Sequence, residues 1–329
     1  MLCILYTGHC EAARRLLEES LAIQRSLGDK AGVAHTLRYL VDLSCNEGEL
    51  ARAEDMAQEC VAIAREAQDH EAVAGALFQL ACVVAYEGDF AGAHELLGEV
   101  VPLCDHLGLL DHLAVAQDVL IWMKINLGDY AAARPLALAN LALVRQIGDA
   151  RLAGVALLSL GEIAMAEGRL ADALALLTES ADVLGQIGQR DEQGLALAHL
   201  ADLASLLGQP GQARKYLRQA LQAASETKHF AASLSSVVTA AICLAGEGQA
   251  ERAMELYSLA ARHPYVGNSK FRYDIAGKHI AAPAASLPPE TVAAAQARGR
   301  ARDLRLTLAE LVSEFGQADR GERSVALSG

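Results

Sequence analysis

A glycine followed five residues later by an alanine recurs at 40-residue intervals along most of this chain. The pairs are Gly48/Ala53, Gly88/Ala93, Gly128/Ala133, Gly168/Ala173, Gly208/Ala213 and Gly248/Ala253, preceded by Gly8/Ala12, where the spacing is four. A fixed period of this length means stacked copies of one supersecondary unit, and it constrains the fold more than chain length does. A second glycine series, Gly28, Gly108, Gly148 and Gly188, lies half a period away. Each unit therefore has two elements of nearly equal length, each closed by a turn.

The apolar spacing between turns is helical. Leu37, Leu40 and Val41 follow the i, i+3, i+4 rule, as do Leu77, Leu80 and Ala81, Leu157, Leu160 and Gly161, and Leu197, Leu200 and Ala201. Each helix should run about 17 residues, roughly 25 Å at the α-helical rise. Gly48, Gly88, Gly128 and Gly168 suit the left-handed position that closes a helix, and Asp89 and Asp129 directly after them are natural caps for the next. Asp29, Asp69 and Asp149 play that part at the other turn. The small residue at Ala53, Ala93, Ala133, Ala173, Ala213 and Ala253 lets the second helix lie close against the first, and anything larger should pry the pair apart.

Leu160, Gly161, Gly168, Leu170 and Ala173, in the string LLSLGEIAMAEGRLADALALL, resemble the tetratricopeptide repeat (TPR) pattern of a leucine-glycine pair, a turn glycine and the alanine of the second helix. The 40-residue unit is longer than the common 34-residue form. It looks like the variety in the sensor halves of bacterial signal-transduction ATPases of the maltose-activator (MalT-like) type. The resemblance implies an all-α fold, a right-handed α-solenoid of antiparallel helix pairs, over 1–263, with about six full pairs after a truncated first repeat. Beyond it, 264–286 reads as an irregular linker and 287–316 as a short helical C-terminal cap, starting with Pro288 or Pro289 at the first helical position. Residues 317–329 read as a disordered terminus. The string AAAQARGRARDL in the cap is similar to the tail of multidomain bacterial regulators that pair a nucleotide-binding module with such repeats.

Met1 to Thr7 fills only the tail of a first helix, and Leu2, Ile4 and Leu5 supply no polar cap for the stacking face. The expectation is a piece of a longer protein, with an ATPase module upstream, or a displaced start. The ATPase of the resembled family needs Gly-Lys-Ser/Thr, a tripeptide this sequence does not contain, and a helix-turn-helix after the repeats is also missing from it. No cofactor is expected.

Of 329 residues, 53% are hydrophobic, much of it alanine, while only 4% are aromatic. No apolar run approaches the ~20 residues of a membrane span, and the N-terminus lacks the basic flank of a signal peptide, so a cytoplasmic location is expected. With 28 basic against 41 acidic residues the net charge is −13, which opposes nucleic-acid backbone and anionic membrane. Arg298, Arg300, Arg302 and Arg305 are the local exception, read either as an anion-binding strip or as a solvated face. Cys3, Cys10, Cys45, Cys60, Cys82, Cys104 and Cys243 contain no C-x-x-C pair and read as reduced packing residues.

Catalytic constellations are missing from the sequence. His70-Glu71 and His94-Glu95 begin like zinc-protease motifs, but Ala74 and Gly98 stand where the second histidine belongs. Ser225 to Lys228 matches S-x-x-K without its companion motifs. Cys104, Asp105, His106, Asp111 and His112 have ligand-type side chains at a spacing that fits no metal motif, so no metal site is assigned. The chain reads as a non-enzymatic interaction scaffold.

In TPR superhelices the first helix of each pair lines the partner groove. Aligning on the turn glycine carries those positions to His35, Arg38, Tyr39, Asp42 and Asn46; Phe78, Gln79, Cys82 and Tyr86; Asp118, Trp122 and Asn126; Ser159 and Glu162; and His199 and Asp202. Tyr39, Phe78, Tyr86 and Trp122 form an aromatic cluster on three consecutive repeats, suited either to anchoring a partner or to filling space between helices. Asp42, Asp118, Glu162 and Asp202 exclude a carboxylate clamp and favour a basic or amphipathic protein or peptide. Two functions fit: the partner-sensing arm of a larger regulatory ATPase, or a stand-alone adaptor that assembles other proteins.

Overall fold

A computed structural model describes residues 10–326, with side chains described for 11–316. The truncated first repeat at Met1–Thr7 lies outside the described residues. Thirteen helices follow one another: α1 (Cys10–Leu27), α2 (Lys30–Glu47), α3 (Leu50–Glu66), α4 (His70–Tyr86), α5 (Phe90–His106), α6 (Leu110–Leu127), α7 (Tyr130–Ile147), α8 (Ala150–Ala166), α9 (Leu170–Gln186), α10 (Arg190–Leu206), α11 (Pro210–Thr227), α12 (Phe230–Gly246) and α13 (Ala250–Ala261). There is no strand among the described residues. The chain is an all-α helical repeat, and it divides into two compact units, one up to Leu152 and one from Ala153.

The turns work by the chemistry of their residues. At Gly48 (φ 79°) and Gly128 (φ 82°) the backbone is left-handed. The carboxylates of Asp29, Asp69, Asp89 and Asp129 each accept from the amide three residues on, at 2.9 to 3.3 Å. Where the half-period glycine is replaced, the backbone keeps its shape: Gln68 (φ 53°) and Lys228 (φ 55°) sit in the left-handed region, which costs an L-residue about 1–2 kcal/mol.

The periodic alanines are where the helix pairs close. Ala53, Ala93, Ala133, Ala173 and Ala253 are fully buried and Ala213 nearly so. Gly161 does the same on a first helix, since a Cβ there would stand 2.6 Å from Leu177 Cδ2. A polar contact repeats in the same register: Cys60 Sγ lies 3.6 Å from Ala34 O, and 120 residues on Ser180 Oγ donates to Gly154 O at 2.8 Å. Cys45, Cys60, Cys104 and Cys243 are buried thiols and Cys82 is half-buried. Burial pushes Cys45, Cys60 and Cys243 up to about 12, which makes them unreactive.

The segment expected to be an irregular linker is helical. It comprises α14 (Pro264–Gly267), α15 (Lys270–Arg272), a π-helical turn over Tyr273–Gly277 and α16 (Lys278–Ala284). It folds back to pack on α12 and α13. This explains α12, whose residues from Ala231 to Leu244 are all buried. A helix without a charged residue on any side needs cover on every side.

Next come α17 (Pro289–Ala301) and α18 (Leu304–Ala326), so the expected disordered terminus is helical over 317–326, while 327–329 lie outside the described residues. Helix α17 docks on α13 through charge. Arg298 bonds Glu251 and Glu255, and Arg302 bonds Glu255 and Glu310. Burial opposes ionisation of Glu255, but its arginine partners outweigh this and lower its pKa. Gly299 is the point of closest approach, for a Cβ there would lie 2.1 Å from Glu255 O. Arg298 and Arg302 are thus paired with the last repeat and form no free anion strip, while Arg298, Arg300 and Arg305 keep the exposure of a solvated face.

Candidate interaction face

In the first unit the first helices α2, α4 and α6 set their candidate residues on one face. His35, Arg38 and Asp42 are exposed, and Tyr39, Asn46, Phe78, Cys82, Tyr86, Asp118 and Trp122 are half-buried. The His35 and Tyr39 rings meet edge-on at 5.1 Å. The Arg38 guanidinium lies across Gly75, its Cζ 3.5 Å from where a Cβ would stand. Gln79 is buried and joins α4 to α2, its Nε2 donating to Arg38 O and to Asp42 Oδ1, both at 3.0 Å. Its role is internal positioning.

Asp42 is open to solvent yet walled by protein. That crowding pushes its carboxyl up to about 6, against the opposing effects of Gln79 and Arg38. An incoming cation would draw its pKa back down.

The aromatic cluster is partly structural. Trp122 meets Tyr86 at 5.9 Å and Phe90 at 6.3 Å, and Tyr39, Phe78, Tyr86 and Trp122 all pack against the core of this unit while keeping an outer edge accessible. Asn126 is buried and donates to Trp122 O at 2.8 Å, fixing the end of α6. Beside Phe78 a cleft of about 230 Å³ opens, with an apolar floor of Ala74, Val100, Cys104 and Val115 and a rim of Arg38, Asp111 and His112. Cys104 points into this packing, whereas Asp105 and His106 are exposed. Among the described residues no group of three His, Cys, Asp or Glu side chains is placed to hold a metal ion.

In the second unit the corresponding face is not open, which corrects the expectation for four residues. Ser159, Glu162, His199 and Asp202 are all buried. Segment 264–286 covers this face. Phe271 is 1% exposed and meets the His199 ring edge-on at 5.6 Å. Arg272, also buried, donates from Nη2 to Ser235 Oγ at 2.9 Å, and Tyr265 is buried beside it. His199 Nε2 stands 2.9 Å from Glu162 Oε1, and Nδ1 stands 3.3 Å from Asp202 Oδ2. Burial alone lowers the His199 pKa, but the two carboxylates outweigh burial and raise it above 6.5.

Transfer by register could not reveal the occupant of this face. Two signals in the sequence point to it: α12 carries no charged residue on any side, and Glu162 and Asp202 on one face call for a cation. A further cleft of about 580 Å³ lies among α9, α10 and α11, lined by Asp182, Arg190, Lys215, Tyr216 and Arg218. Its Arg190 is already paired with Glu226 at 3.1 Å. None of the described helices is long and apolar enough to cross a membrane.

Residues 152–226 match the tetratricopeptide repeat family model, and residues 1–47 and 41–85 match the model of anaphase-promoting complex subunit 5. No curated protein matches the chain. Among solved structures, a Rap protein complexed with competence and sporulation factor is similar at TM-score 0.68 and 12% identity, covering 86% of this chain and 76% of that one. BtubC (BKLC) from P. vanneervenii is similar at TM-score 0.51 and 16% identity, covering 67% of this chain and 91% of that one. A signal-transduction ATPase with numerous domains and a TPR sensor, from Pyrococcus horikoshii, reaches TM-score 0.47 at 15% identity, over 89% of this chain and 50% of that one, too low to bear on the fold. At these identities the first two show the fold alone, a TPR-like helical repeat.

Proposed function

We propose that this tetratricopeptide-repeat chain is a protein-interaction scaffold whose partner face is the α2, α4, α6 side of its first unit. The observation that carries this is a difference in cover. First-helix positions of the second unit are buried under the chain's own segment, while His35, Arg38, Asp42 and the edges of Tyr39, Phe78 and Trp122 stay accessible. Aromatic edges beside charged groups are the composition of interface hot spots. The partner is a protein or peptide segment, basic or amphipathic, because Asp42 and Asp118 stand among the aromatics.

Trp122→Ala tests the face. Partner capture should weaken at least tenfold with helicity unchanged. A sharp fall in thermal stability with unchanged capture would make Trp122 a core filler between α4, α5 and α6.

The sequence resemblance to ATPase sensor regions supports a finer reading, in which the scaffold is the sensing arm of a larger regulator. Immunoblotting of native cells with antibody to residues 31–263 tests it. A band well above the mass of 329 residues supports the arm, and a band at that mass supports the adaptor.

A further inference from the structure

Positions 40 residues apart occupy equivalent places on successive first helices. Asp42 therefore stands in the register of Glu162 and Asp202, Tyr39 in that of Ser159 and His199, and His35 in that of Ser235. In the second unit this register is filled, and the filling has a definite chemistry. Phe271 packs on His199, and the adjacent Arg272 bonds Ser235 and Tyr265 and lies close enough to His199 to repel its proton. One short helical stretch thus engages α10 and α12, and the charge of Glu162 on α8 reaches its Tyr265. In the first unit the same register holds Asp42 and His35, both exposed, and Tyr39, half-buried.

We propose that the α2, α4, α6 face binds a helical segment that carries an aromatic residue directly before an arginine, the chemistry by which Phe271 and Arg272 cover the second unit. The proposal rests on the scaffold reading and names its partner class. Two features of the face fit such a segment. Asp42 supplies a carboxylate for the guanidinium, and it already accepts from Gln79, so it is held in place before the partner arrives. Tyr39, Phe78 and Trp122 give an aromatic shelf on which both a phenyl ring and a guanidinium plane pack well. A lysine in place of the arginine would lose the stacking and the fork of donors.

The sole tryptophan lies on this face, so its emission reports occupancy directly. The probe is a synthetic peptide of residues 263–286, titrated into the full-length chain. The expected result is a saturable change in Trp122 emission. A peptide carrying Phe271→Ala and Arg272→Ala should bind at least tenfold more weakly. Asp42→Asn in the full-length chain, which keeps an acceptor for Gln79, should weaken the parent peptide at least fivefold, with Tyr39→Ala as a second face variant.

No saturable change, or equal affinity for the doubly substituted peptide, overturns the proposal. Heat of binding with neither an emission change nor sensitivity to Asp42→Asn places the peptide elsewhere on the chain and also overturns it. The scaffold reading fails separately. If a random peptide library panned on the full-length chain yields binders sensitive to Trp122→Ala that lack the aromatic-arginine pair, the scaffold stands and this inference falls.

Discussion

Arg272→Met isolates what holds the covering segment to the second unit. The buried patch contains two carboxylates, Glu162 and Asp202, both paired with the His199 imidazole, and the buried Arg272 guanidinium stands near enough to that imidazole to repel it. Methionine keeps much of the volume and removes one of the two cations. Taking away one partner of a buried charge group costs about 3–5 kcal/mol, because the remaining charge is left uncompensated. Arg272 also holds the His199 pKa down by repulsion, so its loss raises that pKa further. A group whose folded pKa is raised contributes stability that is fully present below its unfolded value of 6.5 and is lost as pH rises through the folded value.

In the variant, protonated His199 still offsets one carboxylate near pH 6, and near pH 8 less of that compensation remains. The cost of Arg272→Met should therefore be larger at the higher pH. Urea unfolding of the full-length chain, followed by far-ultraviolet circular dichroism at both pH values, measures it. A loss below about 1 kcal/mol at both pH values, or a larger loss at the lower one, would refute the account of a compensated buried cluster.

The repeat geometry and the open face make further predictions. Gln68→Gly and Lys228→Gly should each raise stability by about 0.5–1 kcal/mol, the relief of left-handed strain less the added freedom of the unfolded chain, read as a higher melting temperature. Ala173→Leu should cost about 1–3 kcal/mol by overfilling the closed face between α8 and α9, and denaturant titration reads the loss. Affinity for the basic 263–286 peptide should rise as pH passes upward through about 6, where Asp42 gains its charge. A flat profile of Trp122 emission titrations across that range would remove Asp42 from the site.

Local chemistry made the repeat legible. A turn glycine, a capping aspartate and a small residue each act within a few positions of themselves, so their 40-residue recurrence sets the helix boundaries and the closest packing without knowledge of the rest of the chain. Gln68 and Lys228 show how strongly the neighbours enforce that pattern, since the left-handed backbone persists where the glycine has gone. The candidate face in the first unit was legible for the same reason, as register on a helix is a local property. Cover is not. Whether Ser159 or His199 meets solvent depends on residues some 70 to 110 positions further along, in a segment of helices three to seven residues long whose pattern has no period.

Fitting the segment to the face required information that α12 does carry. Fourteen of its residues in a row, Ala231 to Leu244, could not be explained by one buried side, and a helix without a charge on any side in a repeat array implies that the array does not end there. The acidic pair Glu162 and Asp202 states what the missing cover must contain, since two carboxylates of one register, fully removed from water, require cations within reach. His199 supplies one from within the register, and Arg272 adds a positive charge beside that histidine from outside it. That division matters for the first unit, where Asp42 has Arg38 on its own helix but Tyr39, not a histidine, in the register of His199. There Arg38 is the cation beside Asp42, and a partner that brings an arginine would add a second one in the place His199 fills in the second unit.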